Sequence, residues 1–434
     1  MLREETATAG GEETWRSRVT VHALAWLTVT CAVGLLMATL LLVPRANGML
    51  APWTYGRWAS LHLDLALYGW LALPLLGLLL HHYRPEVAAG GGRWASLAIE
   101  IWSAALLVGA VSWLAGGTSG KLFLDWHGPA RWAFVSALAA VAVLLAILTL
   151  RGAATARRTA EPAHRWWLPR AALLAVLAAV PWALAAASDP AAYPPVDPTT
   201  GGPTGASLLG SSLAVAWIFL GAPYLLRLER KPAATNRRAA WLTVLLVLHS
   251  LAYAVLAHGD HSHHEVLQIA ALVSLAPYAW WLPRHLLSFT WPLPARRWMG
   301  ALLAWGGLLL ATALVTFLPG VLDRVKFTNV LVAHSHLAMA AFATAFAALL
   351  LIAVDAGAGR VLAAPWPFAT WQGGTLLHVV ALTAAGGLEA ADPSVAFRPS
   401  VALTSLYAGR WLAGAAMTAA ALAWLHGALR GSAA

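Results

Sequence analysis

The sequence offers metal-binding chemistry mainly through histidine. The chain has 16 histidines and a single cysteine, Cys31, which excludes an internal disulfide, a thiolate metal cage and a C-x-x-C-H attachment for covalent heme. Three of the histidines, His62, His334 and His336, fall inside apolar stretches. Because an ionisable side chain inside a membrane segment costs free energy, such residues indicate a function. Because the chain has a single cysteine, any metal is expected to be bound through nitrogen or oxygen.

The spacing of His334 and His336 indicates two sites rather than one. Side chains two residues apart on an α-helix point about 200° from each other, so these two imidazoles cannot bind the same ion. A helix with one imidazole on each side fits two flat macrocycles, because heme iron takes imidazole as an axial ligand. His62, on a different helix, would then complete a bis-imidazole pair at one of the two irons.

The elements that must position these histidines are membrane helices. The chain is 60% hydrophobic and 11% charged with a mean hydropathy of +0.68, which excludes an ordinary water-soluble enzyme. A membrane-spanning helix needs about 20 mainly apolar residues. The sequence therefore predicts an all-α polytopic membrane protein with twelve transmembrane helices, at 19–43, 57–81, 94–116, 131–150, 169–188, 206–228, 238–257, 265–283, 298–320, 328–354, 366–388 and 402–428.

The basic residues predict the orientation of these helices. If both termini are cytoplasmic, 20 of the 28 Lys and Arg residues lie on the cytoplasmic side, as the positive-inside rule requires. This topology accounts for the net charge of +10 without a nucleic-acid partner. Residues 1–18 are predicted to be a disordered cytoplasmic tail, and 19–428 a single transmembrane domain. His62, His334 and His336 then lie towards the outer side, below a group of histidines between helices 7 and 8.

Three short motifs resemble the catalytic subunit I of the heme–copper oxidases and the related nitric oxide reductases, and most closely its cbb-type branch. The second helix begins with a G-R-x-x-x-L-H pattern that ends at His62, and the tenth contains an aromatic-Thr-Asn approach to H-x-H. An adjacent histidine pair follows the seventh. The motif residues are Tyr55-Gly56-Arg57, Leu61-His62, Phe327-Thr328-Asn329, Ala333-His334-Ser335-His336 and His263-His264.

The resemblance implies two b-type hemes. His62 and His336 would be the axial ligands of a low-spin heme, and His334 the proximal ligand of a high-spin heme. His263 and His264 would bind a distal metal, copper as in the oxidases or iron as in the nitric oxide reductases. The chain would be a subunit of a bacterial or archaeal cytoplasmic membrane that reduces a small diatomic gas, oxygen or nitric oxide.

Further partners follow from the same resemblance and from what the chain lacks. With one cysteine and no heme attachment motif, the protein requires an electron-donating subunit that carries heme c or copper. Arg57, on the outer side, is suited to bind a heme propionate, although an interfacial anchor is the alternative.

The distal metal site departs from the family pattern. The family supplies a third histidine from helix 6, where this chain has Leu220 and no histidine. His249, His258, His261 or Glu265 could replace it. Distal copper is therefore expected to be absent or substoichiometric. A redox-active tyrosine is also missing at its family position, Ala257, with Tyr253 one turn away.

A function of another class fits part of this pattern. His-rich tracts often bind metal ions, so the outer run from His258 to Glu265 is also typical of a metal-collecting loop. The alternative is a divergent, non-catalytic heme- or metal-binding membrane protein. Such a protein would not need the intramembrane H-x-H together with His62, which favours the oxidase-like interpretation.

Overall fold

The protein is described by a computed structural model. It covers residues 2–88, 90–120, 124–156, 163–189, 208–232, 236–256, 266, 270, 273–316, 318, 320–398 and 400–431. Over these residues the regular secondary structure is helical, with a single isolated bridge between Arg230 and Phe289. An all-α fold is expected for a chain of long apolar runs, since a helix satisfies its backbone polar groups internally.

Over the part of the chain that the structure describes, twelve main helices follow the order of the predicted segments. They are α1 (Leu2–Leu42), α2 (Tyr55–Tyr83), α3 (Gly91–Leu114), α4 (Gly128–Ala156), α5 (Ala163–Ala187), α6 (Leu208–Leu225), α7 (Asn236–Leu256), α8 (Ala276–Leu287), α9 (Arg296–Thr316), α10 (Asn329–Val354), α11 (Pro365–Ala391) and α12 (Val401–Gly431).

Nine of these helices, among the residues that the structure describes, are long and apolar enough to cross a membrane. The other three are α6 and α7, which are shorter apolar helices, and α8, which has 12 residues. Within the predicted eighth segment, 265–283, the residues 265, 267–269, 271 and 272 lie outside the described residues. An all-α polytopic membrane protein is confirmed, and the number of twelve spans stays a prediction.

The first helix begins within the predicted tail. Its backbone is helical from Leu2, and the assignment of 1–18 as a cytoplasmic tail stays a prediction. Polar composition alone does not prevent a helix, and this stretch contains no proline.

The chain divides into two compact units. The first comprises Met1–Pro195, Leu350–Phe368 and Thr418–Ala434, and the second comprises Val196–Leu349 and Ala369–Met417. His62 belongs to the first unit, and His334 and His336 belong to the second. The single domain predicted for 19–428 stays a prediction.

Aromatic packing forms the core of the first unit. Phe134 of α4 stacks on Trp126 with ring centroids 4.8 Å apart, and it contacts Tyr68 of α2 at 5.2 Å and Trp113 of α3 at 5.9 Å. Phe134, Trp126 and Trp113 are completely buried. Contacts of this kind join α2, α3 and α4 and so fix the helix that carries His62.

The core of the second unit surrounds α10. Leu337 and Ala341 of α10 are buried against Val379 of α11, and Trp305 and Leu309 of α9 pack on the same cluster. Close packing of this kind leaves little freedom for a helix to rotate. The segment of α10 that carries His334 and His336 therefore lies directly before a buried contact with both of its neighbours.

Candidate functional site

His62 lies against the backbone of α1. Its Nδ1 is 3.0 Å from the carbonyl oxygen of Thr30. A Cβ added to Gly34, one turn further along α1, would lie only 2.8 Å from Cε1 of His62. Because a carbonyl oxygen can only accept a hydrogen bond, the proton of this imidazole lies on Nδ1 and the lone pair on Nε2. Gly34 thus makes room for a ring of defined tautomer.

His334 is hydrogen-bonded through Nδ1 to a hydroxyl. The Oγ1 of Thr312 on α9 lies 3.1 Å from Nδ1 of His334 and 3.0 Å from the carbonyl oxygen of Leu309. When the single proton of the hydroxyl is donated to Leu309, Oγ1 accepts from the N–H of the imidazole. This arrangement places the lone pair of His334 on Nε2.

His336 completes the set. Its Nδ1 donates to the carbonyl oxygen of Val332 at 2.8 Å, one turn back on the same helix. Its ring centroid lies 4.5 Å from that of His378 on α11, with the two planes tilted by 38°. His334 and His336 thus contact different neighbours, α9 and α11, as their two-residue spacing predicts.

Helix α2, which carries His62, and helix α10, which carries His334 and His336, each continue as a π-helix just after these histidines. In α2 the π-helical segment is Leu65–Leu71, and in α10 it is Leu337–Ala343. π-helical turns are rare and often lie at functional sites. Sequence reasoning missed both segments, because each reads as an ordinary apolar stretch.

A tryptophan on a neighbouring helix holds each π segment. The indole Nε1 of Trp102 on α3 donates to the carbonyl oxygen of Tyr68 at 2.7 Å, and that of Trp371 on α11 donates to Ala340 at 3.0 Å. Trp102 is 7% exposed and Trp371 is 1% exposed. In a widened turn these indoles supply donors to backbone carbonyls in the membrane interior.

Arg57 of α2 contacts the C-terminal end of α3. Its Nη1 donates to the carbonyl oxygen of Leu114 at 2.8 Å, and its Nη2 lies 3.3 Å from the position of a Cβ on Gly116, which has a φ of +93°. A cation is favourable at the C-terminus of a helix. The described contacts thus give Arg57 a structural role, and its role towards a propionate stays a prediction.

The predicted distal ligands cannot be placed. His263 and His264 lie outside the described residues, as do His258, His261 and Glu265. Within the described residues, no group of three or more His, Cys, Asp or Glu side chains could hold a metal ion.

The residues weighed as a third ligand or as a redox tyrosine have other contacts. His249 has Tyr278 Oη 3.1 Å from Nδ1 and Ser274 Oγ 2.9 Å from Nε2, so both ring nitrogens are hydrogen-bonded. Tyr253 packs its hydroxyl against Gly210 of α6. Leu220 is buried, and its carbonyl oxygen accepts from Nε2 of His285 at 3.0 Å.

Comparison with known proteins adds no identification. No family model matches the chain, and no curated protein matches it. The residues and their geometry therefore carry the functional argument.

Proposed function

We propose that this chain is a heme-binding electron-transfer subunit with twelve membrane spans and cytoplasmic termini, similar to the catalytic subunit of terminal oxidases and nitric oxide reductases. His62 and His336 would hold a low-spin heme, and His334 would hold a high-spin heme. The pairing of His62 with His336 comes from the resemblance of the motifs. The substrate class is a small diatomic gas, oxygen or nitric oxide.

One observation carries this proposal: all three histidines have Nδ1 hydrogen-bonded to oxygen. Imidazoles that ligate metals almost always donate their other N–H to a carbonyl, carboxylate or water, because this bond fixes the tautomer and orients the ring. The acceptors are the carbonyl oxygens of Thr30 and Val332 and the hydroxyl of Thr312. The residues therefore fit a cofactor that is ligated axially through Nε2.

The chain's own residues orient the proposed ligands. Gly34 lets the ring of His62 lie against α1, and Thr312 holds the ring of His334. A heme held by these imidazoles would supply an iron that changes oxidation state. Nonpolar burial of Leu337 and Ala341 keeps water away from the helix segment that follows His336.

We propose that the distal site holds less than one metal ion per chain. His263 and His264 would bind copper or iron on the outer side, but α6 has Leu220 where the family has a third histidine. Because His249 is hydrogen-bonded at both nitrogens, it would have to break one of these bonds to replace that ligand. We therefore expect substoichiometric or absent copper and slow or missing turnover of oxygen, with electrons supplied by a separate subunit that carries heme c or copper.

Pyridine hemochrome and elemental analysis of the purified protein test the proposal together. We expect two b-type hemes per chain and less than one copper. His334→Ala should lose one of the two hemes, whereas His426→Ala, near the end of α12, should keep both. A wild-type protein without heme that binds copper or zinc would contradict the proposal and support the metal-binding alternative. One copper per chain bound by His263, His264 and a third protein ligand would restore a complete distal site.

A further inference from the structure

The first residue of α10 is held by a buried carboxylate from α11. Glu389 is 8% exposed. Its Oε2 accepts the backbone N–H of Asn329 at 2.7 Å, and its Oε1 accepts the side-chain Nδ2 of the same residue at 2.6 Å. Each oxygen of one carboxylate thus binds a different donor of one residue. Two such bonds fix the direction of the helix start as well as its position.

The backbones of α10 and α11 also meet at this point. A Cβ added to Gly386, one turn before Glu389, would lie 2.1 Å from the backbone nitrogen of Val330 and 2.7 Å from the carbonyl carbon of Asn329. Only glycine permits this approach. Contact at Gly386 and the double hydrogen bond at Glu389 therefore act one turn apart, and together they oppose rotation of α10.

We call the hydrogen-bonded pair of Glu389 and Asn329 the anchor of α10. A third helix also contacts this anchor. Tyr407 of α12 has its hydroxyl 3.4 Å from Oε1 of Glu389 and 3.4 Å from Nδ2 of Asn329. Thr328 caps the same helix start, since its Oγ1 accepts the N–H of Val330 at 3.2 Å. The start of α10 thus has partners from α11, α12 and its own preceding residue.

The short distance to the histidines gives this anchor a function. His334 and His336 follow Asn329 by five and seven residues, or roughly 8 and 11 Å along the axis. The α-helical segment ends at His336, directly before the π segment Leu337–Ala343. The α-helical segment Asn329–His336 is rigid, so a rotation at Asn329 would also rotate both imidazoles. The change to π-helical geometry comes only after His336.

We propose that Glu389 is a positioning residue that sets the directions of the His334 and His336 imidazoles by fixing the start of α10. What those imidazoles bind rests on the function proposed above, but the anchor itself does not. A carboxylate that merely stabilised the helix dipole would need the backbone N–H alone. Binding of the Asn329 side chain as well indicates control of rotation.

Four variants test this proposal. Glu389→Ala removes both acceptors, whereas Glu389→Gln keeps the volume and one acceptor. Asn329→Asp places two carboxyl groups face to face. Asn329→Asp combined with Glu389→Gln restores one donor and one acceptor between the side chains, with their roles exchanged. Asp392→Asn, an exposed carboxylate three residues after Glu389, is the matched control.

Two readouts separate the anchor from the cofactor. The first is amide exchange of residues 329–336 in the full chain, which needs no heme. Loss of the charge-assisted bonds in Glu389→Ala should speed this exchange about tenfold or more, with exchange in α3 unchanged. The second is the set of g-values of the low-spin ferric heme, which report the orientation of the imidazole plane and should shift in Glu389→Ala and return in the double variant.

The outcomes are distinct. Faster exchange confined to 329–336, with recovery in the double variant and no change in Asp392→Asn, supports the proposal. Unchanged exchange in Glu389→Ala, equal acceleration in every helix, or a double variant as impaired as Asn329→Asp would overturn it. If the wild type contains no heme, the proposed function fails, and amide exchange still decides whether Glu389 fixes α10.

Discussion

Helices α2 and α10 share one structural arrangement, although they belong to two different units of the chain. Each carries intramembrane histidine in an α-helical segment and then continues as a seven-residue π-helical segment. In each π segment a backbone carbonyl accepts a hydrogen bond from the indole N–H of a neighbouring tryptophan. Neither unit copies the sequence of the other. The same order of histidine, π segment and tryptophan donor thus occurs in both helices.

The two helices differ in what holds the imidazole. His62 contacts backbone, through the carbonyl of Thr30 and the missing side chain of Gly34. His334 depends on a side-chain hydroxyl, that of Thr312, and the start of α10 depends on Glu389. Steric changes should therefore disturb the first site, whereas loss of single polar groups should disturb the second.

Of the variants that test the difference between α2 and α10, Gly34→Ala is expected to have the largest effect on stability. In Gly34→Ala the new methyl group would lie 2.8 Å from Cε1 of His62, so the ring must leave Thr30 or α1 must shift. We expect the free energy of unfolding to fall by about 1–3 kcal/mol, as for other overpacked sites. Gly307→Ala in α9 is the control, since a Cβ there meets nothing within 4 Å. Equal stabilities of the two variants in detergent would show that Gly34 does not limit the position of the ring.

A smaller effect is expected at the tryptophans. Trp102→Phe and Trp371→Phe each remove a donor and leave a carbonyl of a π segment without it. The expected loss is about 1–2 kcal/mol in each case, because an unsatisfied buried carbonyl is costly. Trp132→Phe, at a residue that is 62% exposed, should cost close to nothing. A loss at only one of the two helices, measured by chemical unfolding, would end the parallel between α2 and α10.

Removal of one hydroxyl should have a still more modest effect. Thr312→Val deletes the acceptor for Nδ1 of His334 and should reduce stability by about 0.5–1.5 kcal/mol. Heme bound at His334 should also dissociate faster, since outer partners of a ligand tune its affinity. Thr312→Ser keeps the hydroxyl and should resemble the wild type. If the serine variant were as impaired as the valine variant, packing of the methyl group would explain the loss.

The smallest effect concerns the pH dependence of the turn that follows Glu389. Hydrogen bonds from the Ser394 hydroxyl at 2.6 Å and the Ser394 backbone N–H at 3.0 Å lower the pKa of Asp392 below its ordinary value of 3.8. A lowered folded-state pKa stabilises the turn above pH 3.8, and this contribution is lost as the pH falls through the lower value.

Protection of the backbone amides in 394–397 should therefore be constant between about pH 5 and 8, after correction for intrinsic exchange, and should decline only in strong acid. Asp392→Asn, which has no carboxylate to titrate, should show no such decline. A decline near neutral pH in the wild type would contradict the assignment to Asp392.

Much of the fold could be predicted from the sequence. A helix in a bilayer must be apolar for about 20 residues, so hydropathy places such helices well, and α2, α9 and α10 begin within two residues of their predicted starts. The N-terminal part of α1 could not be predicted in this way, because hydropathy reports burial in lipid and not helix formation in a polar stretch.

The candidate site was only partly predictable. The histidine types and the opposite directions of His334 and His336 follow from helix geometry. The partners do not, because Thr312, Glu389, Trp102 and Trp371 are distant in sequence from the residues that they hold. The π segments also leave no mark on an apolar sequence, since their widened turn depends on tertiary packing.

The most direct test of the central claim compares His62→Ala with His336→Ala by near-infrared magnetic circular dichroism of the oxidised protein. If both imidazoles ligate one iron, each variant should lose the same bis-imidazole low-spin signal and keep the high-spin heme on His334. A wild-type low-spin signal that survives in His62→Ala would show that the pair does not share an iron, and would contradict the proposed function.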